Sequence, residues 1–218
     1  MMGLMTPHPR KGRKPPRPRP DRKFGVVKPV GLRIIAGRLR RRKLEYSGSL
    51  GVRPMRDRVR QAVFNILGTT VVGTHVLDLF AGTGALALEA ISRGALCATL
   101  LEQDRATAQV IRRNVAHLAL ERECRVIAGD VFVWAERRLP LESTPWLVFS
   151  SPPYAFYIDR RAAMVALIAR LMAAAPAGSG FVVESDERFD FDQLPELAAW
   201  DIRRYPPALI GFFFKPAP

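Results

Sequence analysis

Residues Val76 to Asp104 constrain this chain more than any other stretch. The apolar run Val76, Leu77, Leu79 and Phe80 reads as a buried strand, Ala81-Gly82-Thr83-Gly84 as a tight turn, and a helical pattern follows directly. Gly82 and Gly84 remove the Cβ atoms that would keep a ligand off the backbone. The new helix presents unpaired N–H groups and the positive end of its dipole to the same place. A second apolar strand, Cys97 to Leu101, ends in Glu102, a carboxylate placed to accept both hydroxyls of a ribose. Together these predict a nucleoside-cofactor site at the carboxyl edge of a parallel α/β sheet.

Two cofactors fit that description. The spacing from Gly82 matches the dinucleotide fingerprint G-x-G-x-x-G/A, with an acid roughly 20 residues on. It equally resembles the S-adenosylmethionine site of class I methyltransferases, where an acid, here Asp78, precedes the glycine turn. A glycine turn alone does not separate them.

The rest of the chain narrows the setting. With 218 residues and 48% hydrophobic content, one sizeable core is expected. Arg170 interrupts the longest apolar candidate, Met164 to Ala175, so no membrane span is expected. The N-terminus is Pro, Arg and Lys, without the apolar core of a signal peptide. Cys97 and Cys124 fall in expected core strands and match no metal or redox spacing, which suits a reducing cytoplasm; no metal site is expected. A monomer is expected, because no heptad or apolar surface stripe is visible.

Charge is unevenly placed. Residues 1–60 carry nineteen Lys and Arg against Asp21, Glu45 and Asp57, a net +16 within a chain total of +14, which leaves −2 for residues 61–218. That asymmetry points to a polyanion held by the N-terminal part, most simply nucleic acid.

Three segments are expected. Residues 1–30 form a basic, Pro-rich tail without ordered structure. Residues 31–70 hold a small β-hairpin, LRIIAG against RRKLEYS, and a helix with Val59, Ala62, Val63, Ile66 and Leu67 inward and Arg56, Arg60 and Gln61 outward. Residues 71–218 alternate strands near 75–80, 97–102, 124–128, 146–150 and 180–185 with helices near 84–93, 104–119, 131–138 and 160–175. Trp200 to Tyr205 and Leu209 to Lys215 make a closing antiparallel pair around Pro206-Pro207. The fold class is α/β, a three-layer α/β/α Rossmann-like sandwich with a mostly parallel sheet and an antiparallel C-terminal strand.

The fourth strand separates the two cofactors. It runs into Ser151-Pro152-Pro153-Tyr154, which must face the same crevice as Gly82 and Glu102. Consecutive prolines fix the backbone and leave carbonyl oxygens free to accept, while Tyr154 offers a flat face to a base. An exocyclic amine on a nucleobase needs such a site, because its lone pair is delocalised into the ring. Acceptors for both amino protons, a side chain at position 151 and the Pro152 carbonyl, favour the pyramidal nitrogen that attacks a methyl carbon. The remaining catalysis is in-line positioning against a sulfonium. Hydride transfer has no use for this loop.

RIIAG (Arg33–Gly37) with RRRKL behind it, RPMRDRVRQAVFNIL (Arg53–Leu67), LDLFAGTGALALEAISRGA (Leu77–Ala95), EQD (Glu102–Asp104), GD (Gly129–Asp130) and PPY (Pro152–Tyr154) together resemble the bacterial small-subunit rRNA guanine-N2 methyltransferases, over most of residues 32–218. That resemblance implies methylation of guanine N2 in 16S rRNA with S-adenosylmethionine. It implies that Asp78, Phe80, Gly82 and Gly84 hold the methionine part, that Glu102 binds the ribose, that Asp130 with Val131 meets the adenine edge, and that Thr83 and Gln103 also belong to the cofactor site. The small ribosomal subunit would be the partner, its phosphates held by Arg33, Arg38, Arg40, Arg41, Arg42, Arg53, Arg56, Arg58 and Arg60. Two positions depart from the family pattern: Ser151 stands where Asp or Asn precedes Pro-Pro, and Pro206-Pro207 replaces a glycine turn. S-P-P-Y resembles the form in cytosine-N4 DNA methyltransferases. Methylation of cytosine N4, and a non-catalytic rRNA-binding assembly factor, therefore stay open as alternatives.

Overall fold

The computed structural model describes residues 31–46, 54–137, 139, 143–196 and 199–216. The expected tail at 1–30 and the expected phosphate contact Arg53 lie outside them.

Seven strands form one sheet: β1 (His75–Asp78), β2 (Cys97–Glu102), β3 (Cys124–Ala128), β4 (Trp146–Ser150), β5 (Gly180–Asp186), β6 (Asp201–Tyr205) and β7 (Ala208–Phe214). Their order is β3-β2-β1-β4-β5-β7-β6, with β1 to β5 parallel and β7 antiparallel to both β5 and β6. The helices are α1 (Asp57–Leu67), α2 (Ala85–Ser92), α3 (Arg105–His117), α4 (Val131–Arg137), α5 (Phe156–Asp159) and α6 (Arg161–Ala174). The expected three-layer sandwich is the observed one. Among the described residues no helix is long and apolar enough to cross a membrane.

Side chains alternate along each strand, so the two faces of the sheet feed two cores. Val76, Leu100, Leu147, Phe149 and Val182 meet α1, α2 and α3 on one face. Leu77, Leu101, Trp146, Val148 and Phe181 meet α4, α5 and α6 on the other. Each large apolar side chain so buried contributes about 1.5–3 kcal/mol. The chain runs from β1 outward to β3, then returns to β4 on the far side of β1. The carboxyl ends of β1 and β4 therefore flank the crevice where a doubly wound sheet binds ligands.

The expected N-terminal hairpin is present in short form: a β-bridge joins Arg33 to Lys43, the Ile34 N–H donates to the Arg42 carbonyl (2.9 Å), the Arg41 N–H to the Ile34 carbonyl (2.9 Å) and the Leu44 N–H to the Leu32 carbonyl (2.8 Å), without two full strands among the described residues. Side chains of the sandwich hold backbone groups that this short ladder leaves unpaired. The carboxylate of Glu89, fully buried on α2, accepts the N–H groups of Ile35 (2.7 Å) and Ala36 (3.0 Å) and the Arg93 Nε–H (2.8 Å). Ser92 Oγ donates to the Ala36 carbonyl and accepts the Leu39 N–H, while Asn114 bonds both backbone groups of Glu45. Leu32, Ile34 and Leu44 enter the same core as Val76 and Leu100. Gly37 is required where the turn meets α2: φ is +80°, and a Cβ would lie 1.9 Å from the Ser92 carbonyl oxygen. Gly37→Ala should therefore destabilise the protein by about 2 kcal/mol, lowering Tm by about 4–8 °C in thermal denaturation. An unchanged Tm would mean that the turn is not clamped.

α1 is rotated from its expected setting. Its buried stripe is Arg60, Val63, Phe64 and Leu67, while Val59, Ala62 and Ile66 are half-buried. The Phe64 ring goes inward to meet Phe149 at 5.8 Å, and that orientation takes Arg60 in with it. Arg60 is completely buried, and its Nη2 donates to the Arg33 carbonyl (2.6 Å) and to Asp57 Oδ1 (3.0 Å). Burial lowers its pKa, opposed by the charges of Asp57 and Glu89. The expectation that Arg60 faces outward is thus corrected: its guanidinium ties α1 to the basic turn through Nη2, with Nε and Nη1 unpartnered among the described residues.

Candidate functional site

A cavity of about 380 Å³ opens at the carboxyl edge of the sheet. Leu79 and Phe80 after β1, Gly82 and Thr83 in the turn, Glu102 and Gln103 at the end of β2, and Gly129 to Phe132 after β3 line one part of it. Ser151 to Tyr154 after β4, Glu184 on β5 and the β6–β7 turn Tyr205 to Ala208 line the other. Pro54, Met55, Arg56, Val59 and Arg60 complete the wall from the N-terminal side. All four residues of the expected Ser-Pro-Pro-Tyr catalytic loop, and seven of the nine expected to meet a cofactor, share this one space.

The other two, Asp78 and Gly84, support the wall from behind. Gly84 has a φ of +75°, and a Cβ there would press on Ile111 Cγ2 at 3.1 Å and Leu100 Cδ2 at 3.3 Å, so any other residue would strain the turn where it packs onto α3 and β2. Asp78 ends β1 with its side chain buried, and neither carboxylate oxygen has a hydrogen-bond partner among the described residues. Burial raises its pKa to about 7, against the pull of the Ala87 N–H and with a further push from Glu102. An orphaned acid behind a glycine turn fits a ligand that brings a positive charge or hydrogen-bond donors.

Glu102 is held by its neighbours. Its Oε2 accepts the Gly82 N–H and its Oε1 the Asp104 N–H, both at 2.8 Å. A carboxylate has about four acceptor positions, so two remain for the hydroxyls of a ribose. Burial raises the Glu102 pKa, opposed by those backbone donors. Asp130 Oδ1 accepts the Phe132 N–H at 2.7 Å, which fixes the start of α4 and leaves the second oxygen for a ligand.

On the β4 side, Ser151 Oγ is buried without a hydrogen-bond partner among the described residues. The Tyr154 hydroxyl donates to Glu184 Oε1 at 2.9 Å, which orients the ring. Phe80 packs edge-on against Phe156 (5.9 Å), and the Arg160 guanidinium lies 4.9 Å from the Phe156 ring and 5.7 Å from that of Phe132. Among the described residues no cluster of His, Cys, Asp or Glu could hold a metal ion.

The arginines expected to meet phosphate separate into groups. Arg56 and the buried Arg60 reach the cavity wall; the others described do not. Arg33 pairs with Asp57 (3.3 Å), Arg38 with Glu123 (2.5 Å), and Arg42 donates to the His117 carbonyl (2.9 Å). Arg40, Arg41, Arg56 and Arg58 are exposed and make no ion pair among the described residues.

The sequence reading missed Phe132, Phe156, Glu184 and the wall made by Tyr205, Pro206 and Pro207. Glu184 had a usable signal, since an acid ending an apolar strand at the carboxyl edge faces the crevice by the same logic as Glu102. The proline turn had none, because what brings it over the site is the return of β7 alongside β5.

The model of a family described as conserved hypothetical protein 95 matches residues 32–207. Ribosomal RNA small subunit methyltransferase D of Escherichia coli strain K12 is 44% identical over 124 residues, 56% of this chain and 60% of that protein. The chain thus matches less than two thirds of the length of that relative. Putative rRNA methyltransferase YlbH of Bacillus subtilis strain 168 is 32% identical over 127 residues, 56% of this chain and 67% of that one. Among solved structures, the putative methyltransferase yhhF from Escherichia coli superposes with a TM-score of 0.71 at 32% identity, covering 86% of this chain and 99% of its own.

Proposed function

The chain belongs to the conserved hypothetical protein 95 family, and on that premise we propose that it methylates the N2 amine of one guanine in 16S rRNA, with S-adenosylmethionine as donor. The observation that carries this reading is convergence. A glycine turn, a ribose-suited carboxylate and a Ser-Pro-Pro-Tyr loop share one cavity, and the orphaned acid Asp78 stands behind its wall. The relatives' names, both rRNA methyltransferases, support the substrate class.

Bound S-adenosylmethionine would supply an electrophilic methyl group on a sulfonium. Asp78, behind the wall, would meet the positive end of the methionine part directly or through a water, with Phe80, Gly82 and Thr83 forming the bed beneath it and Gly84 supporting the turn. Glu102 and Gln103 would hold the ribose, and Asp130 with Val131 the adenine edge. Ser151 Oγ and the Pro152 carbonyl would accept the two amino protons, turning the nitrogen lone pair toward the methyl carbon, while Tyr154 stacks on the base. No strong base is required, because the amine becomes acidic as it is alkylated.

The test is nucleoside mass spectrometry on unmodified small subunits incubated with the protein and isotopically labelled S-adenosylmethionine. Labelled N2-methylguanosine is expected. Labelled N4-methylcytosine would instead favour the reading that Ser151 suggests, and cofactor binding without label would favour an assembly factor. The target base would be flipped out of its stack, so the rRNA has to be held by its phosphates. Affinity should fall steeply with salt, and removing Arg40, Arg41 or Arg58 should each lower the log–log slope by about 0.7–0.9. A salt-independent affinity would remove the arginine surface from the account.

A further inference from the structure

Glu184 has no part in the scheme above, yet it stands on the wall of the same cavity. Its neighbours Val183 and Ser185 are buried, while its own side chain is half-buried at the end of β5 where Tyr154 and the β6–β7 turn meet. Oε1 is engaged by the Tyr154 hydroxyl at 2.9 Å, and Oε2 has no hydrogen-bond partner among the described residues. A carboxylate so placed repels phosphate and needs a donor to face it.

Guanine supplies one where the other bases do not. Beside its exocyclic amine the ring carries N1–H, a donor. Beside the amines of cytosine and adenine the corresponding ring atom, N3 or N1, is a lone pair. Resting on the reading of this cavity as an amine-methylation site, we infer that Glu184 chooses the base, its free oxygen accepting N1–H of guanine while Ser151 and Pro152 engage N2. Cytosine or adenine in the same pose sets a lone pair against the carboxylate and is rejected. The hydrogen bond from N1–H to an anion also pushes electron density through the ring toward N2, in the direction the transfer needs. Base choice then resides in β5, and Ser151 acts only as an acceptor.

Two RNAs that differ only at the methylated position, guanine or 2-aminopurine, provide the test. 2-Aminopurine keeps the N2 amine but has a lone pair at N1. Wild type should favour guanine in kcat/KM by at least about 100-fold. In Glu184→Gln the amide can present either an oxygen or an NH2 group, so the preference should collapse to within about tenfold, chiefly through a gain on 2-aminopurine. Cofactor affinity and Tm, measured alongside, should be unchanged. Because each preference compares two substrates of one enzyme, loss of Tyr154 positioning or partial misfolding lowers both rates and leaves the ratio in place. An undiminished preference in Glu184→Gln overturns the inference and leaves the methylation reading standing. A wild-type protein that labels no guanine overturns both.

Discussion

Asp78→Asn is expected to stabilise the cofactor-free protein and cripple its hold on S-adenosylmethionine. Burial carries the Asp78 pKa from the ordinary 3.8 up to about 7. Between those values the folded protein keeps a proton that the unfolded chain has released. Stability is therefore greatest at the acid end of the window and declines as pH rises through it, by about 4 kcal/mol in all. Asparagine has the same shape and no charge to desolvate. At pH 8 the variant should exceed wild type by about 2–4 kcal/mol, and the advantage should vanish below about pH 4, as thermal denaturation at the two pH values would show. Cofactor affinity should move the other way, falling about 10- to 100-fold with the loss of a charge-assisted bond. Binding to wild type at neutral pH should also expel a proton from Asp78, read as a binding heat that depends on the buffer and disappears in the variant. A variant no more stable than wild type at pH 8 would mean that Asp78 already has a partner.

The second large effect belongs to Ser151→Ala. The hydroxyl is buried and has no partner among the described residues, so its removal costs the fold little. It deletes one of the two acceptors proposed for the amine and leaves the Pro152 carbonyl alone. Single-turnover methyl transfer should slow by about 100-fold with cofactor affinity unchanged, the size of effect seen when one preorganised hydrogen-bonding group is lost from a reacting centre. An undiminished rate would place the acceptor elsewhere.

Much of the sandwich is legible in the sequence. The expected bounds of 97–102, 124–128 and 146–150 are those of β2, β3 and β4, because each is a short apolar run closed by an acid, a glycine or the Ser-Pro-Pro turn. β1 stops at Asp78 rather than at residue 80, although the Leu79 N–H still bonds the Phe149 carbonyl, so the pairing outlasts the strand by one residue. The N-terminal region was harder to read for two physical reasons. Residues 32–44 do pair, Leu44 with Leu32 and Ile34 with Arg41 and Arg42, but Ile35, Leu39 and Glu45 are held by Glu89, Ser92 and Asn114, partners more than 50 residues away that local spacing does not show. On α1 a count of apolar positions puts every arginine outside, whereas Phe64 sets the rotation and Asp57 with the Arg33 carbonyl makes a buried Arg60 tolerable. In the cavity, glycine and Pro-Pro-Tyr motifs announce themselves, while Phe132, Phe156 and the proline turn join the wall only through tertiary folding.

The eight residues of α2, all buried, span about 12 Å. One end of that rod receives the glycine turn and the other, through Glu89 and Ser92, grips the arginine-bearing turn. The arginine segment is consequently not a detachable cassette. A truncation beginning after residue 70 would hand the Glu89 carboxylate to water and strip Val63, Phe64 and Leu67 from the core they share with Val76 and Leu100. Chimeras that exchange this segment between relatives should fold only when the matching α2 travels with it, so recombination has to treat residues 31–95 as a single inherited block.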